Sequence, residues 1–188
     1  MADFPWEATV LQGKPGPPTP ACSATSACPT VWGMTDQRTP GQISASTTVD
    51  APPDVVFAIL ADPRQHARID GSGSVGSVIE GPDRLTAKGD TFSVRMKIVV
   101  PYKITNRVVE LEPGRRIAWR HFGGHRWRYE LEPTDDGGTT VTETFDYSRY
   151  KPAAVKVLAM SGALKRNRQG IEQTLVRLKQ AAEADAVA

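Results

Sequence analysis

Three polar side chains stand where the sequence otherwise places apolar ones. Read in steps of two along successive strand-like runs, Asn106 falls in the register of Ile104 and Val108. His121 falls in that of Ile117 and Trp119, and Glu143 in that of Val141 and Phe145. Burying an unpaired polar group costs about 1–3 kcal/mol, so such a trio on an apolar face calls for a reason. One reason is chemical. A carboxylate beside an imidazole raises the imidazole pKa toward neutrality or above, which would make His121 and Glu143 candidate catalytic residues, an acid/base pair. The same trio would also hydrogen-bond a ligand carbonyl, hydroxyl or carboxyl. The other reason is structural, a charge-neutralised pair near a strand end, partly wet. A slip of one residue at a bulge would turn all three outward. The sequence leaves these readings open.

Other chemistry is easier to set aside. His66 lies in a helix turn and His125 in a hairpin, and both are expected to be solvated. Three scattered histidines without H-x-H or H-E-x-x-H spacing predict no metal site. No Ser or Cys sits in a G-x-S-x-G elbow. Gly71-Ser72-Gly73-Ser74-Val75-Gly76 lacks the G-K-[ST] ending of a phosphate loop and precedes a strand rather than a helix. No cofactor signature is present, so none is expected.

The elements that must hold the trio follow from periodicity. Ile43–Val49 is β-branched and reads as a strand. Asp50-Ala51-Pro52-Pro53-Asp54 then carries helix-start chemistry, and Val55, Val56, Ile59 and Leu60 form a helical stripe. Asp62-Pro63 closes that helix and opens a second short one. Six strands are predicted next: Val75–Glu80, Asp90–Val100, Lys103–Glu112, Arg115–Phe122, Arg126–Glu132 and Thr139–Ser148. Their apolar members mark an inner face that includes Phe92, Val94, Met96, Ile98, Trp119, Trp127, Tyr129, Leu131, Phe145 and Tyr147. A helix from about Pro152 to Glu183 ends the chain, with Gly162 and Gly170 as places where it would bend. A sheet this large must curl, and only the terminal helix can cover its concave side. A helix is narrower than the sheet it covers, so a ligand cavity is expected between them.

Residues 1–42 differ from this body. They hold seven of the fifteen prolines and show no lasting period, so a flexible Pro-rich tail is expected there, followed by a domain over residues 43–185. Cys22 and Cys28 are the only cysteines. Their spacing fits no common zinc or redox motif, and a body without thiols suits a cytoplasmic location. Met34 is an alternative start, which would make residues 1–33 a gene-start artefact. Among 188 residues, 23 Lys and Arg against 21 Asp and Glu give +2. That balance argues against a nucleic-acid partner. No run of about 18 apolar residues suggests a membrane span. The last 38 residues are basic through Lys151, Lys156, Lys165, Arg166, Arg168, Arg177 and Lys179, which reads as a solvated helix face or a weak contact with a membrane surface.

The opening Ser46–Pro63, with Val49-Asp50-Ala51-Pro52 and Leu60-Ala61-Asp62-Pro63, resembles the start of the helix-grip fold of the START-related, birch-pollen-allergen-like superfamily (SRPBCC). The hairpin Arg126–Leu131 to Thr139–Phe145 is similar to that superfamily's penultimate strands. Within that superfamily the chain resembles the polyketide cyclase/dehydrase-like proteins, and the resemblance covers about residues 43–182. It implies an α+β fold in which a curved antiparallel sheet wraps a long C-terminal helix, with two short helices after the first strand. It also implies a hydrophobic ligand such as a lipid, polyketide or quinone. Members share no catalytic motif, so no residue role is carried over. On this reading Met96, Asn106, Trp119, His121, Trp127, Tyr129, Glu143, Phe145 and Tyr147 form the ligand-binding wall. The alternative is a cyclase or dehydratase using His121 and Glu143, and a cavity filled by its own tryptophans would instead point to a protein-interaction module. The sequence carries no oligomer signature.

Overall fold

Short β-branched runs punctuated by Gly, Pro and Asp give strands joined by tight turns. The computed structural model, which describes residues 39–97, 100–121 and 123–187, builds from them one seven-stranded antiparallel sheet. Of the expected tail, residues 1–38 with Cys22, Cys28 and Met34 lie outside the described residues, as do Ile98 and Phe122, while Gln42, expected in the tail, opens the first strand.

The first strand, β1 (Gln42–Val49), leads into α1 (Pro53–Ala61). Pro53 takes the first helical position, where a missing N–H costs nothing, and Asp54 complements the helix dipole. Asp62 then accepts from the Arg64 N–H to start a 3₁₀ turn over Pro63–Gln65, which runs into α2 (His66–Ile69). The strands β2 (Val75–Glu80), β3 (Thr91–Lys97), β4 (Pro101–Glu112), β5 (Arg116–Arg120), β6 (Arg126–Pro133) and β7 (Thr139–Asp146) follow. The order across the sheet is β1-β7-β6-β5-β4-β3-β2, so the first strand pairs with the last.

Register fixes which face each side chain takes. Val108, Trp119, Trp127 and Phe145 form one cross-strand row on the concave face, and Leu111, Ile117, Tyr129 and Glu143 form the next. The register shifts between Val108 and Glu110. That bulge turns Glu110 onto the convex face, where it pairs with Ala118 and adjoins Arg128.

The single helix expected over about 152–183 is two helices, α3 (Pro152–Met160) and α4 (Ala163–Ala186). Gly162 sits at φ 71°, a left-handed conformation that ends a helix and that side chains resist. Gly170 lies within α4 and is buried there. In α4, Ile171, Thr174, Leu175, Leu178, Ala181 and Ala182 are buried, and the helix packs on β1, β7, α1 and α2. The turn after α2 presses hard on it. Gly71 N–H donates to Thr174 Oγ1 at 2.9 Å, and a Cβ on Gly71 would stand 2.2 Å from the Thr174 backbone nitrogen. Arg177 donates to the Asp70 carbonyl beside it.

Candidate functional site

A cavity of about 330 Å³ opens between the concave face and the helices. That lies at the small end of the range for small-molecule sites. Its wall is largely aromatic. Trp119 packs edge-on to Phe92 with centroids 5.7 Å apart and lies 5.5 Å from Tyr129, and Trp127 lies 4.8 Å from Phe145. Met96, Val94, Ile104 and Ile171 complete the apolar lining. Ser72 and Tyr102 line the cavity and are also exposed, so they mark where it meets solvent.

A polar cluster lies within this wall. Glu143 is 3% exposed and stands opposite Tyr129 in the β6–β7 register. The Tyr129 hydroxyl donates to its carboxyl, while Oε2 is buried with no hydrogen-bond partner. Burial pushes the Glu143 carboxyl up to about 8; the Tyr129 hydrogen bond opposes that rise, and the Asp70 charge adds to it. Burial and the neighbouring Glu143 likewise push the Tyr129 phenol well above its ordinary value. At neutral pH, Glu143 is therefore largely a neutral acid that can give a proton to an acceptor. Asn106, 5% exposed, supplies an amide to the same cavity.

The histidines form two further features. His125 Nε2 and His121 Nε2 are 2.8 Å apart, and His125 Nδ1 is 2.6 Å from the Tyr150 hydroxyl. A short N···N hydrogen bond requires one ring to donate and the other to accept, so the two rings cannot both be protonated. Burial, reinforced by the charge of His121, lowers His125 to about 4, and burial also lowers His121. His66 Nε2 donates to the Leu60 carbonyl at 2.9 Å, which leaves Nδ1 of the neutral ring as an acceptor. The ring stacks on Trp119 at 4.8 Å and 17°. Burial lowers its pKa against the opposing pull of the Leu60 carbonyl.

The structure brings Met96, Asn106, Trp119, His121, Trp127, Tyr129, Glu143 and Phe145 into this one wall. Tyr147 is not in it. β7 ends at Asp146, and the Tyr147 N–H turns to the Gly41 carbonyl, so strand alternation no longer applies; its ring packs 5.6 Å from Phe145. His121 and Glu143 share the cavity, but their described hydrogen bonds run to different partners, His125 and Tyr129. The expectation that His66 and His125 are solvated is corrected, since they are 7% and 9% exposed and both line the cavity. Neither lies in a strand: His66 opens α2, and His125 sits in the β5–β6 turn. The Leu60 carbonyl draws the His66 ring inward, and Tyr150 and His121 hold that of His125. Asp70 and Tyr150 also line the site, and sequence reasoning missed both, because neither belongs to a periodic segment. No Lys or Arg lines the cavity among the described residues. Among the described residues, no three His, Cys, Asp or Glu side chains are grouped as metal ligands would be.

Comparison with known proteins supports the family and the fold. The profile of the family described as polyketide cyclase / dehydrase and lipid transport matches residues 40–183. An uncharacterized protein of Mycobacterium tuberculosis is 45% identical over 142 residues, which is 74% of this chain and 63% of that protein. The chain thus matches less than two thirds of that relative's length. A crystal structure of a Chromobacterium violaceum protein superimposes with a TM-score of 0.59 at 22% identity, covering 77% of this chain and 99% of that one. A solution structure of an Arthrobacter aurescens protein gives a TM-score of 0.61 at 17% identity, covering 80% and 93%. At these identities the likeness to solved structures concerns the fold alone.

Proposed function

The chain belongs to the polyketide cyclase/dehydrase and lipid transport family, and from that premise we propose that it binds a hydrophobic small molecule in the cavity between sheet and helices. One observation carries this reading: a largely aromatic cavity of about 330 Å³ in which a buried carboxyl, Glu143, has an oxygen without a partner. Native interiors pair their buried polar atoms. An unmet one facing a cavity is what a ligand's polar end would meet. In this reading Met96, Trp119, Trp127 and Phe145 hold the apolar body, and Asn106, Tyr129, Glu143 and His121 orient the polar end. A cytoplasmic location goes with it. So does weak contact with a membrane surface through α3, where Val157 and Met160 are 67% and 78% exposed and Lys156 directly precedes Val157.

A second reading is favoured by one feature of the same cluster. The Glu143 carboxyl, at about 8, is matched to proton transfer near neutral pH. That suits a cyclase or dehydratase in which Glu143 gives or takes the proton. Native mass spectrometry of protein purified from its own host tests the binding reading. A retained hydrophobic adduct of one molecule per chain is expected, and loss of that adduct on Trp119→Ala would assign it to the cavity. An adduct that survives filling the cavity by Val94→Trp would overturn the assignment. Turnover of the extracted ligand by wild type but not by Glu143→Gln would move the function to the enzyme reading.

A further inference from the structure

The sign of the charge in the cavity restricts its ligand more narrowly than its apolar wall does. We propose that the site takes an uncharged molecule bearing an acceptor oxygen, a ketone or quinone carbonyl, which Glu143 meets as a hydrogen-bond donor, and that it turns away carboxylate and phosphate lipids. This rests on the reading of the cavity as a ligand site and deepens it.

Three observations carry the inference. First, among the described residues no Lys or Arg lines the cavity, so a buried anion would find no permanent counter-charge. An unpaired ion in an apolar site is far costlier than an unpaired dipole. Second, the ionisable groups that do face the cavity supply no permanent positive charge. From α2 and the residue after it come His66, held neutral by burial, and Asp70. From the β5–β6 hairpin come His121 and His125, whose shared N···N contact forbids a doubly protonated pair. Tyr150 follows β7 and is bound to His125. Third, the polar atoms are not equally open. Asp70 spends one carboxyl oxygen on the Ser72 N–H and hydroxyl and the other on the Val75 N–H. Glu143 receives the Tyr129 hydroxyl on one side and keeps Oε2 without a partner, nine-tenths or more buried, in the cavity wall. A neutral carboxylic acid with one oxygen already accepting presents its O–H to whatever enters. A carbonyl oxygen complements that O–H and brings no charge, whereas a carboxylate that accepts the same O–H brings a buried charge that no Lys or Arg of the described lining meets.

Isothermal titration calorimetry at pH 7 with three ligands of one shape tests this on the full chain: 2-acetylnaphthalene, 2-naphthoate and 2-(aminomethyl)naphthalene. The ketone is expected to bind at least tenfold more tightly than the carboxylate and more tightly than the amine. Glu143→Gln keeps an uncharged donor and should hold the ketone within about threefold of wild type. Glu143→Leu removes the donor and should weaken the ketone about tenfold, with thermal melting confirming that both variants fold. Equal or tighter binding of the carboxylate would overturn the inference and leave the cavity reading intact. So would preference for the amine, which would mean that Glu143 works as an anion. If all three probes fail while the native adduct persists, the carbonyl assignment falls alone. If the adduct is absent as well, the cavity reading falls with it.

Discussion

Two carboxylates on opposite faces of one sheet meet opposite fates. Glu110 lies on the convex face. Arg126 Nη1 reaches its Oε1 at 2.7 Å, and Arg128 grips both oxygens at 3.1 Å. Partial burial pushes its carboxyl up, but the two guanidinium groups outweigh that and hold it below the ordinary carboxylate value. Glu143, on the concave face, has a phenol and an empty cavity in place of cations, and burial wins. The convex groups complete one another, whereas the concave carboxyl keeps one oxygen without a hydrogen-bond partner. The same backbone supplies both because side chains alternate across it. The bulge after Val108 decides the allocation, since plain alternation would have carried Glu110 to the cavity side.

The sharpest way to break this comparison is through pH. Glu143 is raised in the folded state to about 8, so between its ordinary value and that point the folded chain holds a proton that the unfolded chain has lost. Stability must then fall as pH rises through the window, by on the order of 5 kcal/mol. Glu143→Gln has no such proton, and its stability by urea denaturation should stay level between pH 7 and pH 9 while wild type declines. His125 gives the opposite limb. Its folded value near 4 lies below the unfolded one, so its contribution is lost as pH falls below the ordinary histidine range. Parallel pH profiles for wild type and Glu143→Gln would mean that Glu143 is as well paired as Glu110.

Truncation ranks next. Glu110→Ala leaves Arg126 and Arg128 side by side, each under a fifth exposed. The expected loss is about 1–3 kcal/mol, below that of a fully buried pair because solvent still reaches the network. Glu143→Leu paired with Tyr129→Phe removes the buried oxygen that has no partner without stranding the Tyr129 hydroxyl, and is expected to be neutral or stabilising at pH 7. Chemical denaturation of the two variants should therefore give shifts of different sign. Equal losses would erase the distinction between the faces.

The faces were not equally legible in the sequence. Period-two alternation was enough to draw Asn106, His121 and Glu143 to one surface with Trp119 and Trp127, because Asn106 precedes the bulge in β4, Glu143 lies inside β7, and His121 follows the last residue of β5 directly. Alternation says nothing about turns. His66, Asp70, His125 and Tyr150 enter the cavity from segments where a carbonyl, a backbone N–H or another ring sets the side-chain direction. Those partners are remote or local in ways that no period encodes. The fold itself was legible because element order and the two repeat lengths, near 2 and near 3.6, are properties of the chain alone. The break at Gly162 was half legible, since Ser161-Gly162 signals a stop but the apolar stripe on either side suggests continuation.

The smallest effect expected tests whether the convex face is truly self-sufficient. Ser44 and Thr144 face each other across β1 and β7 with hydroxyl oxygens 3.0 Å apart, buried from solvent. Such a pair owes nothing to a ligand. Removing one hydroxyl strands the other, so Ser44→Ala alone should cost about 1 kcal/mol. Removing both, as Ser44→Ala with Thr144→Val, strands nothing and keeps the strand geometry. The double variant should therefore be closer to wild type than the sum of the singles, with a coupling of about 0.5–1 kcal/mol in a double-mutant cycle. On the concave face the corresponding cycle, Tyr129→Phe with Glu143→Leu, should show ligand-dependent coupling, because a bound molecule becomes a third member of the network. Coupling on the convex pair that changes with ligand would show that the sheet transmits occupancy across its thickness, and the two faces would no longer be independent.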